Sequence, residues 1–282
     1  MAVEHDGARM TRTPVHLALV RAAVAVALAA AAACATGPRR PPTGTPEPDK
    51  FLFERGTETL NERKWITARE YFRQLIDVYP QSPHRADAKL GMADAFVGEG
   101  TAESYVLGIN EFREFLSFYP THDRADYAQY KLGMAYFYQM RRPERDQTET
   151  REAIRELTAF VQRYPQSELI DEGRAHLREA RDRLSESEYL VGLHYHRSKW
   201  YPGAIERFRG VLERDPEFTN RDAVYFYLAE ALERIQQPAQ ALPYYERLLK
   251  EFEQSEYLAE ATKRVDALKD AIVNKGSTSD EP

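Results

Sequence analysis

The residues that could carry chemistry in this chain are few, and their spacing is wrong for it. His194 and His196 are two residues apart. On a helix that separation is roughly 200° around the axis, so the two rings cannot share a metal ion. Gly98-Glu99-Gly100 is a glycine pair without the strand and the third glycine of a dinucleotide-binding turn. No H-E-x-x-H, G-x-S-x-G or Walker A sequence occurs. Acids are plentiful but keep i,i+4 company with arginine, as in Glu149, Arg151, Glu152, Arg155 and Glu156. That is the pattern of solvated, salt-bridging helix faces. The expectation is a protein that is not an enzyme and holds no metal or dissociable cofactor.

Cys34, the only cysteine, has a different chemical fate. Residues 15–33 are apolar but interrupted by Arg21, leaving the uninterrupted stretch 22–33. Such a run is too short to span a bilayer and suits the apolar region of a signal peptide, here residues 1–33. A start at Met10 gives a cleaner cationic lead than one carrying Glu4 and Asp6. A lone cysteine cannot form an intramolecular disulfide, and its place directly after the apolar run resembles a bacterial lipobox. Acyl chains on Cys34 would hold the protein on a membrane without a spanning helix. With Ala35 rather than Asp next, that membrane is the outer one, on its periplasmic face. The alternative is ordinary cleavage at Ala33-Cys34-Ala35, leaving a soluble periplasmic protein. Residues 34–50 carry five prolines and two glycines and read as an extended tether. The tail 274–282 reads as disordered.

What could position such a protein's surface is a repeated helical unit. Gly56, Ala68 and Pro80 are spaced twelve and twelve, and Gly192, Ala204 and Pro216 repeat the interval. Ala229 and Ala241 repeat its first half, with Glu253 where proline would fall. Phe72, Phe208 and Tyr245 each follow the second small residue by four. Small residues let paired helices approach, and the aromatics fill between hairpins. Aromatic-proline pairs at Tyr79-Pro80, Tyr119-Pro120 and Tyr164-Pro165 stop helices. This is the tetratricopeptide pattern. It predicts an all-α, right-handed superhelix of about five hairpins, near 51–82, 85–122, 124–167, 168–218 and 221–253, with a capping helix at 255–273. Two hairpins need extra loop residues, at 98–104 and 141–150. No alternating strand pattern occurs in 51–273, which excludes most α/β enzyme scaffolds.

Function must then lie on the surface. First helices of such hairpins line the usual binding face. They offer Phe53 and Thr57 in the first unit and Tyr127, Tyr130, Met134, Phe137 and Tyr138 in the third. These residues are either a groove for an extended or amphipathic peptide or core between repeats. The net charge of −6, with both signs interspersed, gives no support to a nucleic-acid partner.

Several stretches together resemble the BamD (ComL) family of outer-membrane lipoproteins. They are Tyr119-Pro120-Thr121-His122, Asp126-Tyr127-Ala128-Gln129-Tyr130, Arg145-Asp146, Tyr164-Pro165-Gln166-Ser167, and Asp182-Arg183-Leu184 with Glu188, Tyr189, Val191, Tyr195 and Trp200. The resemblance implies a non-enzymatic part of the β-barrel assembly machine. Its N-terminal units would help receive unfolded outer-membrane proteins, and its C-terminal units would dock on a POTRA domain of a BamA-like barrel subunit, beside accessory assembly lipoproteins. Arg207 matches a family arginine implicated in that docking, unless it pairs within its own helix, for instance with Glu213. The rival reading is a periplasmic tetratricopeptide lipoprotein serving as an adaptor in cell-wall or Tol-linked division machinery.

Overall fold

The computed structural model describes residues 40–277, with side chains to residue 271. The leader, Cys34 and the last five residues lie outside it. Among the described residues there are eleven α-helices and no strand: α1 (Pro48–Asn61), α2 (Trp65–Val78), α3 (Arg85–Glu99), α4 (Ala102–Phe118), α5 (Ala125–Phe137), α6 (Thr148–Arg163), α7 (Ile170–Arg197), α8 (Tyr201–Arg214), α9 (Arg221–Arg234), α10 (Pro238–Glu251) and α11 (Leu258–Ser277). They fall into two compact units, up to residue 95 and from residue 96, divided inside α3. In the first unit α1 and α2 form a hairpin. In the second, α5 packs on α6, α7 on α8 and α9 on α10. Neighbouring hairpins meet through α4–α5, α6–α7 and α8–α9, and α11 packs on α10. The fold is all-α, of tetratricopeptide-type hairpins.

Two kinds of turn make the hairpins. Between hairpins, Tyr79, Tyr119, Tyr164 and Asp215 each cap a helix with φ between −123° and −138°. Each precedes a proline, whose ring disfavours the helical region for the residue before it. Inside the three hairpins without extra residues, Arg63, Lys199 and Gln236 take φ near +60°. The following N–H then reaches back five residues, Lys64 to Thr59, Trp200 to Tyr195 and Gln237 to Leu232. That is a Schellman turn closing the first helix.

The small residues do what their spacing predicts. A Cβ on Gly56 would lie 2.6 Å from the Phe72 ring, and one on Gly192 would lie 2.7 Å from the Phe208 ring. Only a side chain that ends at hydrogen lets these rings seat against the facing helix. A polar staple recurs beside them. Ser82 donates to Asp49 at 2.7 Å, Ser255 to Asp222 at 2.6 Å, and Ser167 to Asp126. Each ties the start of a hairpin's first helix to the turn that leaves its second.

Four boundaries differ from the sequence expectation. The extra residues at 98–104 do not make a long loop: α3 runs to Glu99 and α4 starts at Ala102, so most lengthen the helices. Thr101 and Ser104 form a reciprocal capping box there, which lets the chain restart at once. The tether ends earlier than residue 50, because Pro48 occupies a first-turn position that tolerates a missing N–H. The terminal helix runs past residue 273, to Ser277. The second expected loop is real but spans 138–147, since α6 starts at Thr148, and the buried Gln147 organises it by donating to the carbonyls of Arg142 and Arg145. The 28-residue α7 serves two neighbours. Gly173 and Leu177 pack on α6, whereas Tyr189 and Gly192 farther along meet Phe208 of α8.

Candidate functional site

The aromatic residues of α5 separate into core and surface. Tyr130 is 7% exposed and Met134 2%, and both belong to a cluster with Leu157, Phe160 and Leu177. They are not groove lining, because their helical positions face α6 and the first part of α7. The Tyr130 hydroxyl donates to Glu172 at 3.3 Å and lies 3.3 Å from His176 Nδ1. Burial, then the Glu172 charge, pushes its pKa up to about 12. Phe137 is half-buried and meets the His176 ring edge-on at 4.9 Å. Tyr138, at the helix end, is 55% exposed. Tyr127 is half-buried with the Arg124 guanidinium 4.6 Å over its ring. Phe137, Tyr138 and the Tyr127 ring therefore supply the reachable aromatic area of this hairpin. In the first unit Phe53 is half-buried and stacks on His84, with centroids 5.0 Å apart. Thr57 turns its hydroxyl back to the Phe53 carbonyl at 2.9 Å.

Arg207 stands on the outer face of α8, its side chain 45% exposed. It does not pair within its own helix. Its Nη1 donates to Glu188 Oε2 on α7 at 3.1 Å, and Arg214 Nη2 approaches the same oxygen at 3.6 Å. Arg214 can lie back along α8 because Gly210 has no side chain: a Cβ there would be 2.8 Å from the guanidinium. One carboxylate thus faces two arginines.

Beside this pair the fourth hairpin carries a deeper network. Asp215, its side chain 9% exposed, accepts from Arg178 in two-pronged fashion, Nη1 to Oδ1 at 2.9 Å and Nη2 to Oδ2. Ser185 donates to the same carboxylate at 2.6 Å. Burial raises the Asp215 pKa, but the hydrogen bonds from Arg178 and Ser185 outweigh it and hold the carboxyl below its ordinary range. Asp182 accepts from the Thr219 amide and hydroxyl, each at 2.9 Å. The sequence reading missed this network, although a signal was present. In three hairpins an aspartate sits seven residues before the first small residue, and a serine two after the proline position. In the fourth these positions hold Ser185 and Phe218, so the serine donates from the other side.

The two close histidines part company. His194 is exposed, while His196 Nε2 lies 3.2 Å from Glu230 Oε2 in ion-pair rather than hydrogen-bond geometry. His196, with Arg234 on the other oxygen at 3.1 Å, draws the Glu230 pKa down to about 2. Among the described residues no helix is long and apolar enough to cross a membrane.

Comparison with known proteins places these features. A family model described as YfiO, outer membrane lipoprotein, matches residues 46–243. The outer membrane protein assembly factor BamD of Caulobacter vibrioides is 32% identical over 186 residues, covering 65% of this chain and 59% of that protein. The proteins of that name from Xylella fastidiosa and Vibrio cholerae are 24% and 23% identical over 180 residues. Each covers 60% of this chain, and 61% and 73% of the respective relative. The chain thus spans about three fifths of the length of the first two. Among solved structures, the tetratricopeptide TPR2AB domain of yeast Sti1 aligns at a TM-score of 0.40 with 16% identity, covering 82% of this chain and 94% of that one.

Proposed function

The chain belongs to the YfiO family of outer membrane lipoproteins, and we propose that it is a non-enzymatic scaffold for assembling β-barrel proteins into the outer membrane. The observation that carries this reading is the extent of the family match. Residues 46–243 take in every helix from α1 to α9 and the start of α10, so the likeness is to the helical body itself. In this role Cys34 bears the lipid that holds the protein to the periplasmic face of the outer membrane. The partly exposed aromatic area of Tyr127, Phe137 and Tyr138 receives unfolded outer-membrane chains, whose alternating apolar residues suit such a surface. Arg207 docks on the POTRA region of the barrel subunit. Its planar fork matches a carboxylate in two hydrogen bonds, which suits it to an interface pair.

The test is a mild-detergent pulldown of the C-terminally tagged, full-length protein from its own membranes, with partners identified by mass spectrometry. A stoichiometric POTRA-bearing barrel protein is the expected result. Recovery of wall-synthesis or Tol components without it would replace this reading by a division or wall adaptor.

A further inference from the structure

Where α5 meets the start of α7, a carboxylate stands among aromatic rings. Glu172 is exposed and makes no ion pair among the described residues. The cations nearest to it along α7 are engaged elsewhere, Arg174 with Asp171 at 3.8 Å and Arg178 with Asp215. Lys131 of α5 lies over the Tyr127 ring, 5.7 Å from its centroid. What Glu172 does meet is the Tyr130 hydroxyl at 3.3 Å, and that hydroxyl is also 3.3 Å from His176 Nδ1. An ionised carboxylate can only accept, so Tyr130 donates to Glu172 and its oxygen accepts from His176 Nδ1–H. In the neutral ring Nε2 then keeps its lone pair. Glu172 and His176 are one helical turn apart, so the two acceptors share a face of α7. Phe137 stands edge-on to the His176 ring at 4.9 Å, and the Tyr138 ring follows at 6.3 Å from Phe137. Tyr105 of α4 adds a third phenol: burial, then Tyr138, raises its pKa.

Resting on the reading that this face receives unfolded outer-membrane chains, we infer that Glu172 and His176 form a subsite for a lysine or arginine side chain of the incoming chain. The cation donates to the Glu172 carboxylate and to His176 Nε2, and its charge lies beside the electron-rich rings of Phe137 and Tyr138. Charge decides the occupant. An acidic side chain would meet an uncompensated carboxylate, and an apolar one would strip Glu172 of water without giving it a partner. An extended chain from a barrel suits both halves of the face, because its apolar residues alternate with polar ones. Apolar residues settle on the aromatic area, and a cationic residue between them reaches Glu172.

The experiment measures binding of the full-length, lipidated protein in detergent to two fluorescent synthetic peptides by anisotropy. Both peptides carry the same alternating apolar residues, and they differ only in having arginine or glutamine at the polar positions. Wild type is compared with Glu172→Gln and Tyr138→Ala, each checked by thermal melting. Glu172 is exposed and glutamine keeps an acceptor for Tyr130, so Glu172→Gln is expected to fold as wild type does. Wild type is expected to bind the arginine peptide about tenfold tighter than the glutamine peptide, a gap that narrows as salt rises. Glu172→Gln should remove most of that gap while binding the glutamine peptide as wild type does. If Glu172→Gln leaves the gap intact, or weakens both peptides alike, the subsite is overturned, and weaker binding of both peptides by Tyr138→Ala would still uphold the groove. If Glu172→Gln closes the gap and Tyr138→Ala binds as wild type does, the subsite stands and the role of Tyr138 falls. Wild-type protein that binds neither peptide overturns both.

Discussion

Arg207 of α8 reaches Glu188 of α7 at 3.1 Å, so the arginine marked for a partner is already matched within its own chain. An exposed pair of this kind contributes about 0–1 kcal/mol, because water competes for both charges and two long side chains lose freedom. A partner carboxylate can therefore take over Arg207 at little cost to the fold. Arg207→Glu is expected to lower recovery of the barrel subunit in a pulldown while leaving helicity unchanged. Recovery equal to wild type would remove Arg207 from the interface.

Tyr130 and Tyr138 lie eight residues apart and should respond in opposite ways. Tyr130→Ala removes a buried ring from the α5–α6–α7 core and is expected to lower stability by about 3–5 kcal/mol, as for other large-to-small core changes. Tyr130→Phe keeps the ring and loses only the hydroxyl contacts to Glu172 and His176, at about 0.5–1.5 kcal/mol. Tyr138→Ala, on the exposed helix end, is expected to leave urea unfolding within about 0.5 kcal/mol of wild type and to weaken crosslinking to unfolded outer-membrane substrates. A stability loss at Tyr138 as large as that at Tyr130 would contradict the division into core and face.

The Arg178–Asp215 pair is the polar centre of the fourth hairpin. Removing one partner leaves the other charge half-buried, so Asp215→Ala is expected to destabilise by about 2–4 kcal/mol. Much of that loss should disappear when Arg178→Ala is added, because the orphaned cation goes with it. Additive losses in denaturant unfolding of the two single variants and the double variant would show that the residues act independently.

Glu230 gives a pH signature. Its carboxyl is drawn from the ordinary value of 4.5 to about 2 by His196 and Arg234. The stability it contributes is therefore fully present above pH 4.5 and is lost as pH falls through about 2. That contribution is on the order of 3 kcal/mol at most, at 1.36 kcal/mol per pKa unit. The stability gap between wild type and Glu230→Gln should close as pH falls from 4.5 to 2. A gap that does not change with acidification would show that the carboxyl is not held ionised by these partners.

The hairpins were legible because they rest on local chemistry. Proline after Tyr79, Tyr119 and Tyr164 breaks the helix in any context, and Gly56 or Gly192 can be small for the sake of an aromatic sixteen residues away. Partition within a helix was not legible at the same level. Tyr127, Tyr130, Met134 and Tyr138 share residue types suited to either core or groove, and only the packing of α6 and α7 against α5 decides among them. The Arg207 partner was missed for a related reason. Glu188 lies nineteen residues earlier, and the contact depends on how α7 and α8 cross. The Asp-Ser staples, by contrast, could have been read from spacing alone, in the three hairpins that carry them.

The central claim is a role in barrel assembly, and its most direct measurement is made in cells depleted of this protein. Folded outer-membrane barrels are quantified by their heat-modifiable gel mobility, alongside the rate of wall synthesis. The account predicts that the folded fraction of several unrelated barrels falls first, and that wild-type protein restores it while Arg207→Glu does not. Barrel folding that stays at the undepleted level while wall synthesis or division fails would contradict it.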